Sequence, residues 1–422
     1  LDRAIQDLSQ ALKLNPNYGA ALANRANAFI DKRDVDRAIA EFDQALKLDP
    51  KNAYALHDRG VAYYKKRNFD HTIADYEQLT KLDVRLTAST KPAGDDLRGQ
   101  GGFDRGDSEG ARTIQLSPVF ALAYNDRGIA AAAKGDYGKA LADFDRALKL
   151  NPSFAVALYN RGNALFQQRK FGDALKTYDE AIRLNPKDPV ALYDRGVTHY
   201  VRDEYDLAIA DFNDAIKLDS KNPATFYNRG VAYLEKHDPD RAVEDFDRAL
   251  KIDGKLAIAY SARGAAFSAK GDYARAVTDL SQAIKLNPAD AMALNERGVA
   301  QQLNGDSDRA VADFDAALAL NTKYAPALNN RAITLASKGQ LDRALADYDQ
   351  AIAIDGDNEI GFYNRGNALY DKSEYTRAIA DYDKVLKIDP SDKRALNNRG
   401  NAYANQKMLD RAIADFSRAL AQ

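Results

Sequence analysis

The sequence predicts an all-α chain, a right-handed α-solenoid superhelix of 34-residue helix-turn-helix repeats. Three observations carry that expectation. The segment Asn-Arg-Gly returns with small variations, and its third residue falls every 34 residues, at Ala26, Gly60, Gly94, Gly128, Gly162, Gly196, Gly230, Gly264, Gly298, Ala332, Gly366 and Gly400, without insertion or deletion. Apolar residues recur at three- and four-residue intervals on both sides of short polar turns such as Lys134-Gly135-Asp136, the pattern of two amphipathic helices. Units close on Leu-Asn-Pro or a relative of it, and Pro16, Pro50, Pro118, Pro152, Pro186, Pro288 and Pro390 stand at that stop, where the missing N–H and the ring clash end a helix.

Taken in order, residues 1–18 read as half a repeat, the second helix only, with Ala4, Leu8 and Ala11 at its marker places. Units one and two follow over 19–86. The third, 87–120, keeps phase through Gly94, yet Gly99, Gly101, Gly102, Gly106 and Gly110 replace helix-forming or packing residues. At about 1 kcal/mol for each glycine inside a helix, it is expected to be the weakest internal unit. Units four to twelve fill 121–422, the whole making one continuous solenoid. Within a unit, alanine recurs 12 residues after the glycine marker, as at Ala140 and Ala174, and an aromatic four residues later, as at Phe144 and Tyr178. Small facing residues let antiparallel helices approach, and the ring fills the space beside them. The last helix leaves Ile413, Phe416 and Leu420 without an obvious cover, so the ends are expected to be adhesive.

Composition narrows the function. Apolar residues at 45% and charged residues at 29% are globular values. Sixty basic against sixty-two acidic side chains leave a net charge of −2, which gives nucleic acid or anionic lipid little to attract it. The absence of cysteine excludes disulfides and thiolate catalysis. His57, His71, His199 and His237 are scattered without metal-ligand spacing, and no apolar run approaches a membrane span. Serine, histidine and acid form no nucleophile arrangement, and there is no phosphate loop. The expectation is therefore not an enzyme, with no cofactor and no metal.

The repeat resembles the tetratricopeptide repeat (TPR), whose helix pairs carry a small residue at the glycine marker, alanine at the second place, an aromatic at the third and a terminal proline. The resemblance covers essentially the whole chain. It departs from the family where Leu22, Leu56 and Leu158 stand in the frequent tryptophan place, and where Arg25, Arg59, Arg127, Arg161 and their repeats replace the usual leucine. The Asn-Arg-Gly form is similar to bacterial members. The resemblance implies a protein–protein interaction scaffold that binds an extended peptide or partner protein in its concave groove, in a soluble chain of bacterial cytoplasm or periplasm. The alternative is a self-assembling module, a homo-oligomer stacking through its uncapped ends. Neither reading involves nucleic acid or membrane insertion.

Two stripes are candidates for the work. The repeated arginines recur with acids 16 residues later, as Arg127 with Asp143 and Arg229 with Asp245, and are expected to form ion pairs between facing helices. In ten of the twelve units a short amide or acid stands before the arginine: Asn24, Asp58, Asp126, Asn160, Asp194, Asn228, Glu296, Asn330, Asn364 and Asn398. Asparagine is a mediocre helix former, so propensity does not explain it there. The stripe is similar to the asparagine ladder of the O-linked N-acetylglucosamine transferase repeats, which implies a grip on a peptide backbone. One helical step along the same face come Tyr159, Asn163 and Phe166, then Tyr193 and Tyr200, then Tyr227. A groove over units five to seven, centred on these residues, is the expected peptide site, the alternative being tyrosines that pack only on their neighbours.

Overall fold

The computed structural model describes residues 1–82, 103–356 and 358–421, with the backbone alone described for residues 103–117. Among the described residues every regular element is a helix. Contacts divide the chain into two compact bodies, Leu1–Ser220 and Lys221–Gln422. The first holds α1 (Asp2–Leu14), the pairs α2 (Gly19–Asp31) with α3 (Val35–Leu48), α4 (Ala53–Lys65) with α5 (residues 69–82), α6 (Phe103–Ala133) with α7 (Tyr137–Leu150), α8 (Ala155–Gln167) with α9 (Phe171–Leu184), and α10 (Pro189–Val201) with α11 (Tyr205–Leu218). The second holds α12 (Pro223–Glu235) with α13 (Pro239–Ile252), α14 (Ala257–Ala269) with α15 (Tyr273–Leu286), α16 (Ala291–Leu303) with α17 (Ser307–Leu320), α18 (Ala325–Ser337) with α19 (Leu341–Ile354), α20 (Glu359–Asp371) with α21 (Tyr375–Ile388), and α22 (Lys393–Asn405) with α23 (Leu409–Ala421). Even numbers are first helices of units and odd numbers second helices, as the period predicts, except that α6 begins in the third unit's second-helix stretch and runs on into the fourth unit's first helix.

Turn chemistry sets the ends. Asp136 accepts a hydrogen bond from the Lys139 amide at 3.1 Å and Asn52 one from the Ala55 amide at 3.0 Å, satisfying donors at helix starts. Pro189, Pro223 and Pro239 open their helices, where no amide proton is needed. The turn inside each described helix pair takes a left-handed residue, glycine at Gly135 (φ 80°), and that residue's N–H bonds back to the helix it closes.

The glycine and aromatic markers meet as expected. A Cβ on Gly162 would lie 2.6 Å from Tyr178, so the ring sits directly against the glycine backbone. Ala174 and Tyr178 are buried beside it, and the pairing recurs from Phe42 to Tyr382, with Leu280 in the ring's place against Gly264. First helices of successive units also touch, α6 with α8 and α8 with α10 in one body, α12 through α22 in the other, whereas successive second helices from α7 to α11 and from α13 to α23 do not. In each body, then, the first helices line the inner side. On α23, Leu409, Ile413 and Leu420 stand exposed and Phe416 is half-buried.

One passage departs from the expected order. Lys134 pairs with Asp70, 64 residues away, where the equivalent pairs Lys32–Asp2 and Lys66–Asp36 are 30 apart. The excess is one 34-residue period. Arg127 reaches Thr80 at 2.9 Å, the Tyr76 hydroxyl lies 3.3 Å from Asp126, and Val119, Phe120 and Ala123 share a core with Leu56, Tyr76 and Leu79. The later part of α6 therefore occupies, against α4 and α5, the place a third unit's first helix would take. The expected weak unit 87–120 falls outside the described residues over 87–102 and has only its helical backbone described over 103–117. Pro118 is a correction: it lies inside α6 and does not stop it. Proline removes one backbone bond from a helix, and the buried Val119 and Phe120 immediately after it hold the segment in place.

Candidate functional site

The arginine stripe is structural, and it reaches in two directions. Arg195 donates from Nε and Nη2 to the Asp211 carboxylate at 2.8 and 2.5 Å, and from Nη1 to Asp179 of the preceding unit's second helix at 2.7 Å. Arg331 does the same with Asp347 and Asp315, and Arg399 with Asp415 and Asp383. Arg127 with Asp143 and Arg229 with Asp245 form the expected fork. Arg161 faces Thr177 where the acid is missing, and donates to that hydroxyl at 2.9 Å and to Asp145 at 2.7 Å. The forked hydrogen bonds to Asp211 hold Arg195 above its ordinary pKa, while burial pushes the Asp75 and Asp245 carboxyls up even against their arginines. With their donors spent inside the stack, these arginines offer little to an external anion.

The stripe before the arginines lies on the inner side, and it links units. Asn160 Nδ2 donates to Asn125 Oδ1 at 2.9 Å, and Asn330 to Asn295 at 2.9 Å, in both cases 35 residues back. Asn398 donates to the Tyr363 hydroxyl at 3.1 Å and to Asn367 at 2.9 Å. The Tyr159 hydroxyl donates to Asp194 at 2.7 Å, and burial raises the Asp194 carboxyl's pKa. Asn163 accepts from the Tyr178 hydroxyl at 2.5 Å. Asn24 and Asn364 make no side-chain hydrogen bond among the described residues, Asn24 being exposed and Asn364 half-buried.

The predicted aromatics are half-buried and pack within their own units. Tyr159 lies 6.3 Å from Tyr178, Tyr193 and Tyr227 lie 5.9 Å from Phe212 and Phe246, Phe166 meets Phe171 edge-on at 5.4 Å, and Tyr200 meets Tyr205 at 5.6 Å. In the first body Tyr159, Asn163 and Asp194 come together around Tyr178, while Asn160 turns to Asn125 of the preceding unit. Tyr227 and Asn228 belong to the second body. There Asn398 lines, with Asn367, Tyr370, Asp371, Tyr382 and Asn401, a cleft of about 200 Å³ between α20 and α22.

Sequence reasoning missed His57. Its Nδ1 lies 3.0 Å from Asp58 and its Nε2 3.3 Å from Asp126, which also takes Asn125 Nδ2 at 3.0 Å, while Asn27 donates to Asp58 at 2.7 Å. Burial opposes the imidazolium, but the two carboxylates outweigh it and hold the His57 pKa at about 9. The signal was the residue three places before the glycine marker, the column of His57, Asn125 and Asn295, which the inner stripe of the next unit contacts. Among the described residues no helix is long and apolar enough to cross a membrane.

Profiles described as tetratricopeptide repeat match residues 159–223, 223–256 and 394–422, and one described as TPR repeat matches 26–66, 130–169, 266–305, 334–373 and 366–407. No curated protein matches the sequence. Among solved structures, a tetratricopeptide repeat protein from Parabacteroides merdae is similar at 20% identity, covering 59% of this chain and 98% of that one at a TM-score of 0.48. YrrB, described as a TPR protein with an unusual peptide-binding site, shares 23% identity over 44% of this chain and 95% of its own, at a TM-score of 0.39. Yeast Tom70 shares 18% over 97% of this chain and 93% of its own, at 0.42.

Proposed function

This chain belongs to the tetratricopeptide-repeat family, and on that premise we propose that it is an interaction scaffold whose inner face holds an extended peptide segment of a partner protein. The carrying observation is the hydrogen-bonding capacity left along the inner stripe. A side-chain amide has two donors and one acceptor with two lone pairs. Asn160 and Asn330 commit one donor each to the neighbouring unit, and Asn24 and Asn364 commit none. An extended peptide presents backbone N–H and C=O groups that such amides can match, and the half-buried tyrosines beside them supply contact area at small entropic cost. The groove residues are Asn24, Asp126, Tyr159, Asn160, Asn163, Phe166, Tyr193, Asp194 and Tyr200 on the first body, and Tyr227, Asn228, Asn330, Asn364 and Asn398 on the second.

Asn364→Ala tests this reading, because that amide makes no side-chain hydrogen bond among the described residues and alanine is the better helix former. Decapeptides selected from a random displayed library on the full chain should lose affinity for Asn364→Ala or Asn24→Ala, with the melting temperature unchanged or raised. Selected peptides that bind these two variants, Tyr159→Ala and Tyr227→Ala all as tightly as the original chain remove the inner face from consideration.

A further inference from the structure

The second body contains one inner-stripe acid without the partners its counterparts have. Asp58 takes Asn27 and His57, Asp126 takes Asn125 and His57, and Asp194 takes Tyr159. Glu296, on α16, holds no hydrogen bond or ion pair among the described residues. The next residue, Arg297, is committed to Asp313 at 2.7 and 2.6 Å and to Ser281 at 3.1 Å.

Repeat geometry says where the missing partner would stand. Stripe residues meet the side chain 35 positions earlier, as Asn160 meets Asn125 and Asn330 meets Asn295. For Glu296 that position is Ser261 on α14. Serine is shorter than asparagine or tyrosine, and its buried Oγ has no hydrogen-bond partner. A half-buried carboxylate and a buried hydroxyl thus face one register position, and a buried hydroxyl left unpaired is rare and costly. Asp290 adds a second negative charge, and Tyr227 and Tyr324 lie near enough for Glu296 to disfavour their ionisation. Burial, with help from Asp290, lifts the Glu296 carboxyl to about 7.

We propose that Glu296 and Ser261 form a receiving site on the inner face for one basic side chain, lysine or arginine, of the bound peptide. The cation donates to the Glu296 carboxylate and to Ser261 Oγ, with the Tyr227 and Tyr324 rings beside it. This rests on the peptide-groove reading above and adds to it the charge of one peptide position. A partly desolvated carboxylate awaiting a cation is unfavourable in the empty groove and favourable once paired, which gives discrimination between peptides.

Decapeptides selected on the full chain are the probe, each labelled and titrated against the original protein and its variants. They should carry lysine or arginine at one fixed position. Norleucine there, or Glu296→Gln in the protein, should weaken binding about ten-fold, and the two changes together should cost little more than either. Glu296→Lys should be rescued by glutamate at that peptide position. The unbound Glu296→Gln protein should melt higher than the original at pH 8, where a purely structural Glu296 would make it melt lower. Peptides that depend on Tyr227 and Asn364 but bind Glu296→Gln within about two-fold overturn the cation site and leave the groove standing. Peptides indifferent to Tyr227→Ala and Asn364→Ala, or a selection that yields none, overturn both.

Discussion

A Cβ built on Gly298 stands 2.5 Å from Cε1 of Phe314, and at Gly230 the same construction meets Phe246 at 2.7 Å. At Ala26 and Ala332 a methyl already occupies this place beside Phe42 and Tyr348, so the helix pair can be spaced for either residue. What it cannot do is change one side of the contact alone. Gly298→Ala should therefore destabilise the second body by about 1–2 kcal/mol, the overpacking cost less the helix-propensity gain, and Ala332→Gly should destabilise it by about 1 kcal/mol or more. Urea titrations of the two variants check both signs; a stabilised Gly298→Ala would show that the ring moves freely. His57 gives the residue scale a pH dependence. Its pKa is held at about 9 by Asp58 and Asp126 against an ordinary 6.5. The facing groups are those two carboxylates and the Tyr76 ring, 5.9 Å away, whose own hydroxyl burial drives upward. The folded state binds the proton more tightly, so the contribution is complete below about pH 6.5 and is lost as pH rises through 9, at roughly 1.4 kcal/mol for each unit of displacement before solvent screening reduces it. Hydrogen exchange of α4 and α6 should accelerate over that window more than the intrinsic chemistry requires, and His57→Gln should flatten the excess.

At the scale of the element, arginines such as Arg195, Arg331 and Arg399 tie a first helix to its own second helix and to the one before it. Asp347 is 4% exposed, and Arg331 is its forked partner. Removing Arg331 strands that carboxylate, so Arg331→Ala should cost about 3–5 kcal/mol, while the double change Arg331→Leu with Asp347→Leu should recover much of it. A thermal-melting comparison of the three chains decides, and equal losses in both variants would mean packing outweighs charge. The pairing at 16 residues was legible because both partners repeat inside one unit. The reach of Arg195 to Asp179 was not, although Asp179 is as regular, because nothing in a single unit's pattern says how far it stands from the next. The same gap hid the 35-residue amide contacts and left Asn160 and Asn330 looking wholly available when each spends one donor on its neighbour. Pro118 was misread for a related reason. Its place in the period is that of a helix stop, yet the core formed by Val119 and Phe120 with α4 and α5 lets the helix run through it.

For the chain as a whole, the passage from α5 to α6 matters most, since an array transmits stability only through neighbouring interfaces. Lys134–Asp70 reproduces a contact that Lys32–Asp2, Lys338–Asp308 and Lys372–Asp342 make in the other units, lengthened by one period. Arg127 and Asp126 likewise find their inter-unit partners in Thr80, Tyr76 and His57 of the second unit. The described contacts therefore join residues 1–82 directly to residues 119–220, second unit against fourth. Removing 85–118, one 34-residue period, would leave Asp83, Val84, Val119 and Phe120 to join α5 to Ala121, the same four-residue link as Asp49 to Asn52 before Ala53. Loop-closure entropy falls as the connection shortens, by about 0.6 kcal/mol for each halving of its length, so the change is expected to be neutral to stabilising. The shortened chain should express as a folded protein, keep its melting temperature within a few degrees or raise it, and retain the accelerated exchange of α6 above pH 6.5 that depends on His57. A chain that loses cooperative melting on this deletion would show that the removed period carries stability of its own, and that the contacts between the second and fourth units are insufficient to hold the array together.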